Sequence, residues 1–374
     1  MLETVRLDRA SIHFFDLNLA AGVSGAMQEH RRRPLWVVEL EADGISGFGE
    51  ISSLELPNYS SEWSSGSGHL MKKLILPWLM ERRVLDFKSL DWLVGNGASR
   101  FGLECALVDL LAKRAGMGLT SFLRLLFDTD AYNPTAEMAF GVAIGAASGW
   151  SDALKQLEEA SRYGARRVKF KVDRPAALQF LSMSVPKKVS EIVLDFNGCL
   201  RREDSWLLRE LDRLELRFIE EPSSDMDISD YLRLSKVLDT RLFLDESTAN
   251  RGFADLARSM CRNNLGFVVK PFRFGSVVRL NNALDLLEKN GISCYLGGMF
   301  ESAIGRRFLL AFGSHRCFTE TGDMAPSNWY FSRDVEPGLF ARRGENRLKA
   351  SFELGSEVSE LIGHDCTQEC TTFS

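Results

Sequence analysis

Long apolar runs are missing from this chain. None approaches the roughly 20 residues that a membrane-spanning helix needs, and residues 1–17 are mixed and charged, with no apolar secretory core. A helical membrane protein is excluded, and a cytoplasmic location is expected. A basic excess is missing too. The 46 Lys and Arg against 51 Asp and Glu give a formal charge of −5, so neither nucleic acid nor a membrane surface is an expected partner. Cysteines are seven, an odd number scattered from Cys105 to Cys370, which suits reduced thiols better than a disulfide framework. His364, Cys366 and Cys370 stand in a polar tail without the spacing of a zinc motif. The five histidines show no pairing, and none is given a catalytic role.

At 374 residues and 45% apolar, the chain can bury a large core and divide into two structural units. Four charged residues stand at equal intervals of 25: Asp195, Glu220, Asp245 and Lys270. Each ends a short apolar run, such as Ile192-Val193-Leu194-Asp195 or Phe267-Val268-Val269-Lys270. A charge at the end of a buried strand is costly unless something pairs with it. A strand–helix–strand unit returns the chain to the same edge of a parallel sheet, so the four are expected around one cavity.

The period extends both ways. Strands are expected at 137–144, 167–172, 192–195, 216–220, 242–245, 267–270, 292–297 and 315–320, with helices at 151–163, 204–214, 228–238, 252–260, 276–290 and 303–312. Eight strands alternating with helices predict a parallel (β/α) barrel over residues 133–324. Residues 1–132 differ. They hold a hairpin, with strands at 35–41 and 45–50 around Ala42-Asp43-Gly44, and a long apolar helix at 97–116, which makes a small α+β domain. No helix follows Gly47-Phe48-Gly49-Glu50, so its glycines are read as hairpin rather than nucleotide fingerprint. Ser64-Ser65-Gly66-Ser67-Gly68 reads as a flexible loop tip. Residues 325–374 are expected as a polar hairpin about Gly344-Glu345 and a tail that packs back toward the first domain.

Oxygen-only donors at Asp195, Glu220 and Asp245, with no His or Cys beside them, favour a hard cation such as Mg²⁺ over zinc. One such Asp alone would be read as a helix cap; three in phase at the functional face of a barrel point to a metal. Lys169 and Lys171 are two apart on one strand and share a side, with Phe170 on the other. That side is the interior if the strand lies in a barrel; an exposed edge with Phe170 inward is the alternative. Neighbouring cations and desolvation lower a lysine pKa, so Lys270 or a lysine of the second strand could act as a base near neutrality. Together these groups suit removal of a proton beside a carboxylate, with a metal stabilising the extra negative charge.

In order along the chain, Lys169-Phe170-Lys171, Asp195-Phe196-Asn197, Glu220-Glu221-Pro222, Asp245-Glu246-Ser247 and Val269-Lys270-Pro271 resemble the muconate-lactonizing subgroup of the enolase superfamily. The likeness takes in Gly47–Glu50 and Gly297-Gly298-Met299-Phe300-Glu301-Ser302, followed by Ile304-Gly305-Arg306. It implies an α/β fold, a modified (β/α)8-type parallel barrel with an N-terminal α+β capping domain. It further implies Mg²⁺, or Mn²⁺ in its place, held by Asp195, Glu220 and Asp245. Lys171 would be the base, with Lys169 assisting and Lys270 on the opposite face. Asn197, Glu246, Gly297 and Gly298 would lie beside the substrate or behind the ligands.

Within the subgroup the chain is most similar to the o-succinylbenzoate synthase family. These lyases dehydrate a succinyl-hydroxy-cyclohexadiene carboxylate in menaquinone biosynthesis, so a small-molecule carboxylate is the implied partner. N-acylamino acid racemases and muconate cycloisomerases reuse the same lysines and metal, and they stay open. Glu320-Thr321-Gly322-Asp323 lacks the Asp-x-Asp of dipeptide epimerases, and its two acids are read as a strand end and a loop acid. By the same resemblance residues 20–26 take the place of a closing lid, and Pro57-Asn58-Tyr59 could form a second. Arg31-Arg32-Arg33 reads as a solvated turn, with a weaker claim to drawing in a dicarboxylate. A Schiff-base aldolase at Lys270 and a catalytically silent binding barrel are the readings from other classes. Assembly into a homo-oligomer is left open.

Overall fold

The computed structural model describes residues 4–19, 31–146, 149–184, 188–248, 253–261, 263–335, 347–350 and 369–374. The lid expected at 20–26, the turn at Gly344-Glu345, and His364 with Cys366 lie outside the described residues. No helix among the described residues is long and apolar enough to cross a membrane.

The N-terminal unit is built on a four-stranded antiparallel sheet in the order Glu369–Phe373, Arg9–Asn18, Arg32–Ala42, Ile45–Ile51. The chain's last strand thus closes the edge of its first sheet. Helix Gly97–Arg114 lies across this sheet and is buried from Ala98 to Ala112. It can approach so closely because two positions of the facing strand have no side chain. A Cβ at Gly47 would stand 2.3 Å from the Ala106 carbonyl oxygen, and one at Gly49 would stand 2.0 Å from that of Gly102. These glycines serve sheet–helix contact.

The Ser/Gly run at 64–68 is a helix, not a loop tip: Ser64–Leu70 is α-helical and leads into Leu76–Arg82. Trp36 holds it. Trp36 Nε1 donates to the Ser64 carbonyl at 2.8 Å, and a Cβ on Gly68 would fall 2.3 Å from the Trp36 ring. Packing against an aromatic face overrides the flexibility that the composition suggests.

Seven parallel strands form the second unit in sequential order: Gly141–Gly145, Arg167–Lys171, Glu191–Asp195, Phe218–Glu220, Leu242–Leu244, Leu265–Val269 and Ser293–Leu296. Val193, Phe218, Phe243, Val268 and Tyr295 form a separate buried cluster inside them. Phe218 and Phe243 stack at 4.1 Å between ring centroids, and Gly266 has no Cβ because that ring fills the space. Phe170 faces outward against Trp150, at 5.0 Å, in the surrounding helical layer. Lys169 and Lys171 therefore face in.

The eighth strand, expected at 315–320, does not form. Residues 319–323 occupy its place without a ladder. Thr319 and Glu320 both donate to the Cys294 carbonyl, at 3.1 and 3.2 Å. Asp323 N donates to Leu296 O, and Gly141 N to Gly322 O, each at 2.8 Å. A single parallel bridge, Phe140 to Gly322, meets the first strand. With two amides on one carbonyl the segment cannot keep strand register, so the wall closes through a turn.

Helix Arg174–Ser182 was not among the expected helices. Asp173 caps it by accepting from Ala176 N at 2.8 Å, with Pro175 in the first turn. The Asp-x-Pro start was legible, but the apolar period behind it is short.

Arg33 corrects the reading of the arginine run. Arg32 pairs with Asp16 at 2.5 Å on the surface, but Arg33 is 2% exposed. It donates to the carbonyls of Ser53 (2.6 Å), Pro34 (2.9 Å), Met299 (3.2 Å) and Phe300 (3.3 Å). Glu50 joins this seam between the units by accepting from Ser302 N at 2.9 Å and Ser302 Oγ at 2.5 Å. Burial, with Arg33 opposing and Glu301 adding, pushes the Glu50 carboxyl up to about 8. The folded state then binds this proton more tightly than the unfolded chain, so the stability from this group falls as pH rises from about 4.5 to about 8. Urea unfolding should show a shallower fall for Glu50→Gln than for the parent over that range; equal slopes would remove Glu50 as the source.

Candidate active site

Parallel register sets the geometry. Lys171 lies beside Asp195, and Asp195 beside Glu220, on three neighbouring strands. Asp245 follows the fifth strand and Lys270 the sixth, so all five reach the C-terminal mouth of the barrel. The 25-residue spacing thus becomes a row of charges on one rim.

Lys169 is the deeper of the two second-strand lysines. Its Nζ donates to Glu220 at 2.9 and 3.2 Å and to the Tyr295 hydroxyl at 3.1 Å. It also pairs with Asp323 at 2.8 Å and Asp195 at 3.5 Å. The expected fall in a buried lysine's pKa is not met here. Burial lowers it, but Asp323 and Glu220 outweigh burial and hold Lys169 well above the ordinary lysine value. Lys171 is less enclosed, and donates to Asp195 Oδ2 at 2.8 Å and Asn197 Oδ1 at 2.9 Å.

Across the mouth, Asp245 accepts from Lys270 at 2.6 Å, Arg273 at 2.7 Å and the Tyr59 hydroxyl at 2.9 Å. Lys270 and Arg273 both donate to the same Tyr59 oxygen. The Tyr59 ring lies 4.4 Å from the Lys270 ammonium, which adds a cation–π contact. A Cβ at Gly297 would stand 3.2 Å from Lys270 Cε, so the glycine leaves room for the lysine stem.

The carboxylates divide by neighbour. Burial works to raise Asp195 and Asp245, yet lysine and arginine partners hold both below the usual range. Glu220 goes the other way: burial and the Asp195 charge push it up to about 8. Glu246 rises to about 7 through burial and Asp245, and donates nothing as a carboxylate, but accepts from Asn197 Nδ2 at 3.1 Å. Glu221 reaches about 7, chiefly by burial, and accepts from Asp245 N at 2.7 Å, fixing the loop behind that ligand candidate. Asn197 and Glu221 have φ of 44° and 35°, a left-handed conformation that costs a non-glycine residue about 1–3 kcal/mol. Both stand one or two residues past the rim row.

Several site residues escaped the sequence. Asp323, read as a loop acid, is largely enclosed, its side chain 10% exposed; Lys169 and Arg167 overcome desolvation to pull it down to about 2. Glu320 is turned away and pairs with Arg217 at 2.7 Å, ahead of the fourth strand. Tyr295 donates to Glu220 from the seventh strand; strand alternation alone could have placed it inward. Arg273 follows Lys270 by three residues and gave no periodic signal. Two histidines do find acids, His13 with Glu39 at 3.0 Å and His315 with Asp285 at 3.4 Å.

A cavity joins these parts. Lys169, Lys171, Lys270, Arg306 and Asp323 line it together with Gly298, and Leu54, Met299, Phe300, Leu309 and Tyr330 supply an apolar wall. Asn58 and Tyr59 reach it from the N-terminal unit. Asp195, Glu220 and Asp245 fit a hard divalent cation by donor chemistry: all oxygen, all buried, with like-charge pressure that lifts Glu220. Asp285, Glu288 and His315 also gather ligand atoms within 4.8 Å of one another. That trio does not suit a metal. His315 Nδ1 accepts from Cys317 N at 3.2 Å, so in the neutral ring the proton sits on Nε2, the atom that would have to ligate.

Comparison with known proteins agrees with this geometry. The model of the enolase C-terminal domain-like family matches residues 152–349, more than half of the chain. An o-succinylbenzoate synthase from Listeria innocua is 27% identical over 361 residues, covering 94% of this chain and 93% of that protein. An N-succinylamino acid racemase from Thermus thermophilus is 28% identical, covering 91% of each chain. The crystal structure of an enolase-superfamily member from Listeria innocua superposes with a TM-score of 0.83 at 26% identity, covering 99% of both chains. With the barrel, the cap and the row of rim charges in place, the chain belongs to the enolase superfamily.

Proposed function

We propose that this protein is an o-succinylbenzoate synthase, a magnesium-dependent lyase of menaquinone biosynthesis in the cytoplasm. On this reading it dehydrates a succinyl-hydroxy-cyclohexadiene carboxylate. The carrying observation is that Lys171 and Lys270 line one cavity beside three buried carboxylates on successive strands. Asp195, Glu220 and Asp245 would hold the Mg²⁺, or Mn²⁺, which when bound draws the substrate carboxylate and offsets the negative charge that develops beside it. The synthase from Listeria innocua, similar over nearly the whole chain, supports the choice of substrate.

Lys171 takes the proton from the carbon next to the carboxylate. The electron pair left on carbon forms the new double bond as the hydroxyl departs. That hydroxyl takes the proton from the Lys171 ammonium and leaves as water, which returns the amine. Lys169 stays charged among Glu220, Asp323 and Asp195 and orients the row. Lys270, fixed by Asp245 and Tyr59, lends positive charge from the other side of the cavity. Asn197, Glu246, Gly297 and Gly298 shape the surroundings of these groups.

A second reading is racemisation of an N-acylamino acid. It is favoured by the placing of a lysine on each side of one cavity and by the similarity to the Thermus thermophilus racemase. Assays of both reactions on the same preparation separate the two: dehydration without exchange of the α-proton of N-succinyl amino acids supports the synthase, and the reverse supports the racemase.

Lys171→Ala should lower turnover by at least about 10³-fold with an unchanged circular dichroism spectrum; near-parental dehydration would mean that the base lies elsewhere. EDTA should abolish activity and Mg²⁺ restore it, and Asp245→Asn should weaken that rescue. Activity insensitive to chelation would remove the metal from the proposal.

A further inference from the structure

Among the described residues, the buried arginines other than Arg306 each meet an acid or several carbonyls, although Arg33, Arg100, Arg167 and Arg307 also keep a nitrogen without a partner. Arg307 pairs with Asp109 at 2.9 Å and Arg167 with Asp323, while Arg33 donates to four carbonyls. Arg306 differs. It stands in the first turn of helix Ala303–Gly313 and is 2% exposed. Its hydrogen bond runs from Nη2 to the Glu301 carbonyl at 2.7 Å, and its Nε has no partner. Among the described residues it forms no ion pair. Glu301, the nearest acid in sequence, has both carboxylate oxygens engaged by Met299 N, at 2.9 and 2.8 Å. The Tyr330 ring lies 5.1 Å from the guanidinium carbon.

A guanidinium carries five donors and stays charged. Burying one with a single carbonyl bond is unfavourable unless an anion completes the set. Arg306 lines the same cavity as Lys171 and Lys270, beside the apolar wall of Met299 and Leu309. We propose that Arg306 binds a second carboxylate of the substrate, remote from the carboxylate next to the reacting carbon. Its Nε proton and the Nη protons not given to Glu301 would take the two oxygens, and the enzyme would select dicarboxylates. This deepens the functional reading above and rests on it: the first carboxylate must meet the lysine and carboxylate row.

Equilibrium binding separates the two claims. Calorimetry on the full chain with Mg²⁺ would compare o-succinylbenzoate with 2-butanoylbenzoate, which keeps the ring carboxylate and the ketone and lacks the terminal carboxylate. The parent should bind the dicarboxylate about tenfold tighter or more. Arg306→Met should erase that preference while the monocarboxylate constant moves by less than about twofold, and Arg306→Lys should recover part of it. A merely structural role would weaken both ligands alike. Preference kept in Arg306→Met overturns the proposal, and so does equal binding of the two ligands by the parent, a comparison that needs no variant to fold. Equal binding would leave the site reading intact. Binding of neither ligand would remove that reading and this proposal together.

Discussion

Neutralisation of buried charge inside the barrel mouth is the constraint on which the rest of the molecule depends. Asp195, Glu220 and Asp245 are buried and Asp323 is largely enclosed beside them, and unpaired carboxylates there would be prohibitive. Lys169 meets three of these four, and Lys270 with Arg273 meets the other. Such pairs contribute little net stability, because desolvation offsets most of their attraction. They fix position instead. Lys169 works as a charged keystone, and Lys171, less enclosed, has fewer partners, Asp195 and Asn197. Two lysines only two residues apart can therefore serve different ends.

The N-terminal unit is tied to this charge row rather than resting beside it. Tyr59 crosses from that unit to share its hydroxyl among Asp245, Lys270 and Arg273. Arg33 and Glu50 bind the segment after the seventh strand, whose Gly298–Glu301 stretch lines the cavity. The close approach of helix Gly97–Arg114 to the sheet, permitted by Gly47 and Gly49, sets the distance over which these contacts must reach. Cavity shape is thus a property of both units.

Much of this was legible in the residues. Equal spacing of Asp195, Glu220, Asp245 and Lys270 carried the barrel and its rim, because parallel strand–helix units repeat the same geometry. Alternation at Lys169-Phe170-Lys171 carried the inward lysines. What escaped depended on contacts between distant parts. The Ser64–Leu70 helix needs Trp36, some 28 residues away from Ser64. Arg33 looked like a solvated residue because two of its carbonyl partners, Met299 and Phe300, sit in another unit and a third, Ser53, is 20 residues away. Asp323 lies on a segment with no strand periodicity, so its pairing with Arg167 and Lys169 had no local signal. Tyr59 was seen only as part of a loop, since its partners follow it by nearly the whole barrel.

The laddered walls and the unladdered one differ in what they allow evolution to do. Seven walls tie each inward side chain to a fixed rung, so inserting a residue there would shift a register shared with the neighbouring strands. Residues 319–323 hang on a few main-chain bonds, to Cys294, Leu296 and Gly141, and still deliver Asp323 to the charge row. Insertions or altered turns in that stretch can move an acid toward or away from the cavity while the lysines and carboxylates of the other walls stay in place. The wall outside the ladder thus holds its acid free of the register that fixes the other seven.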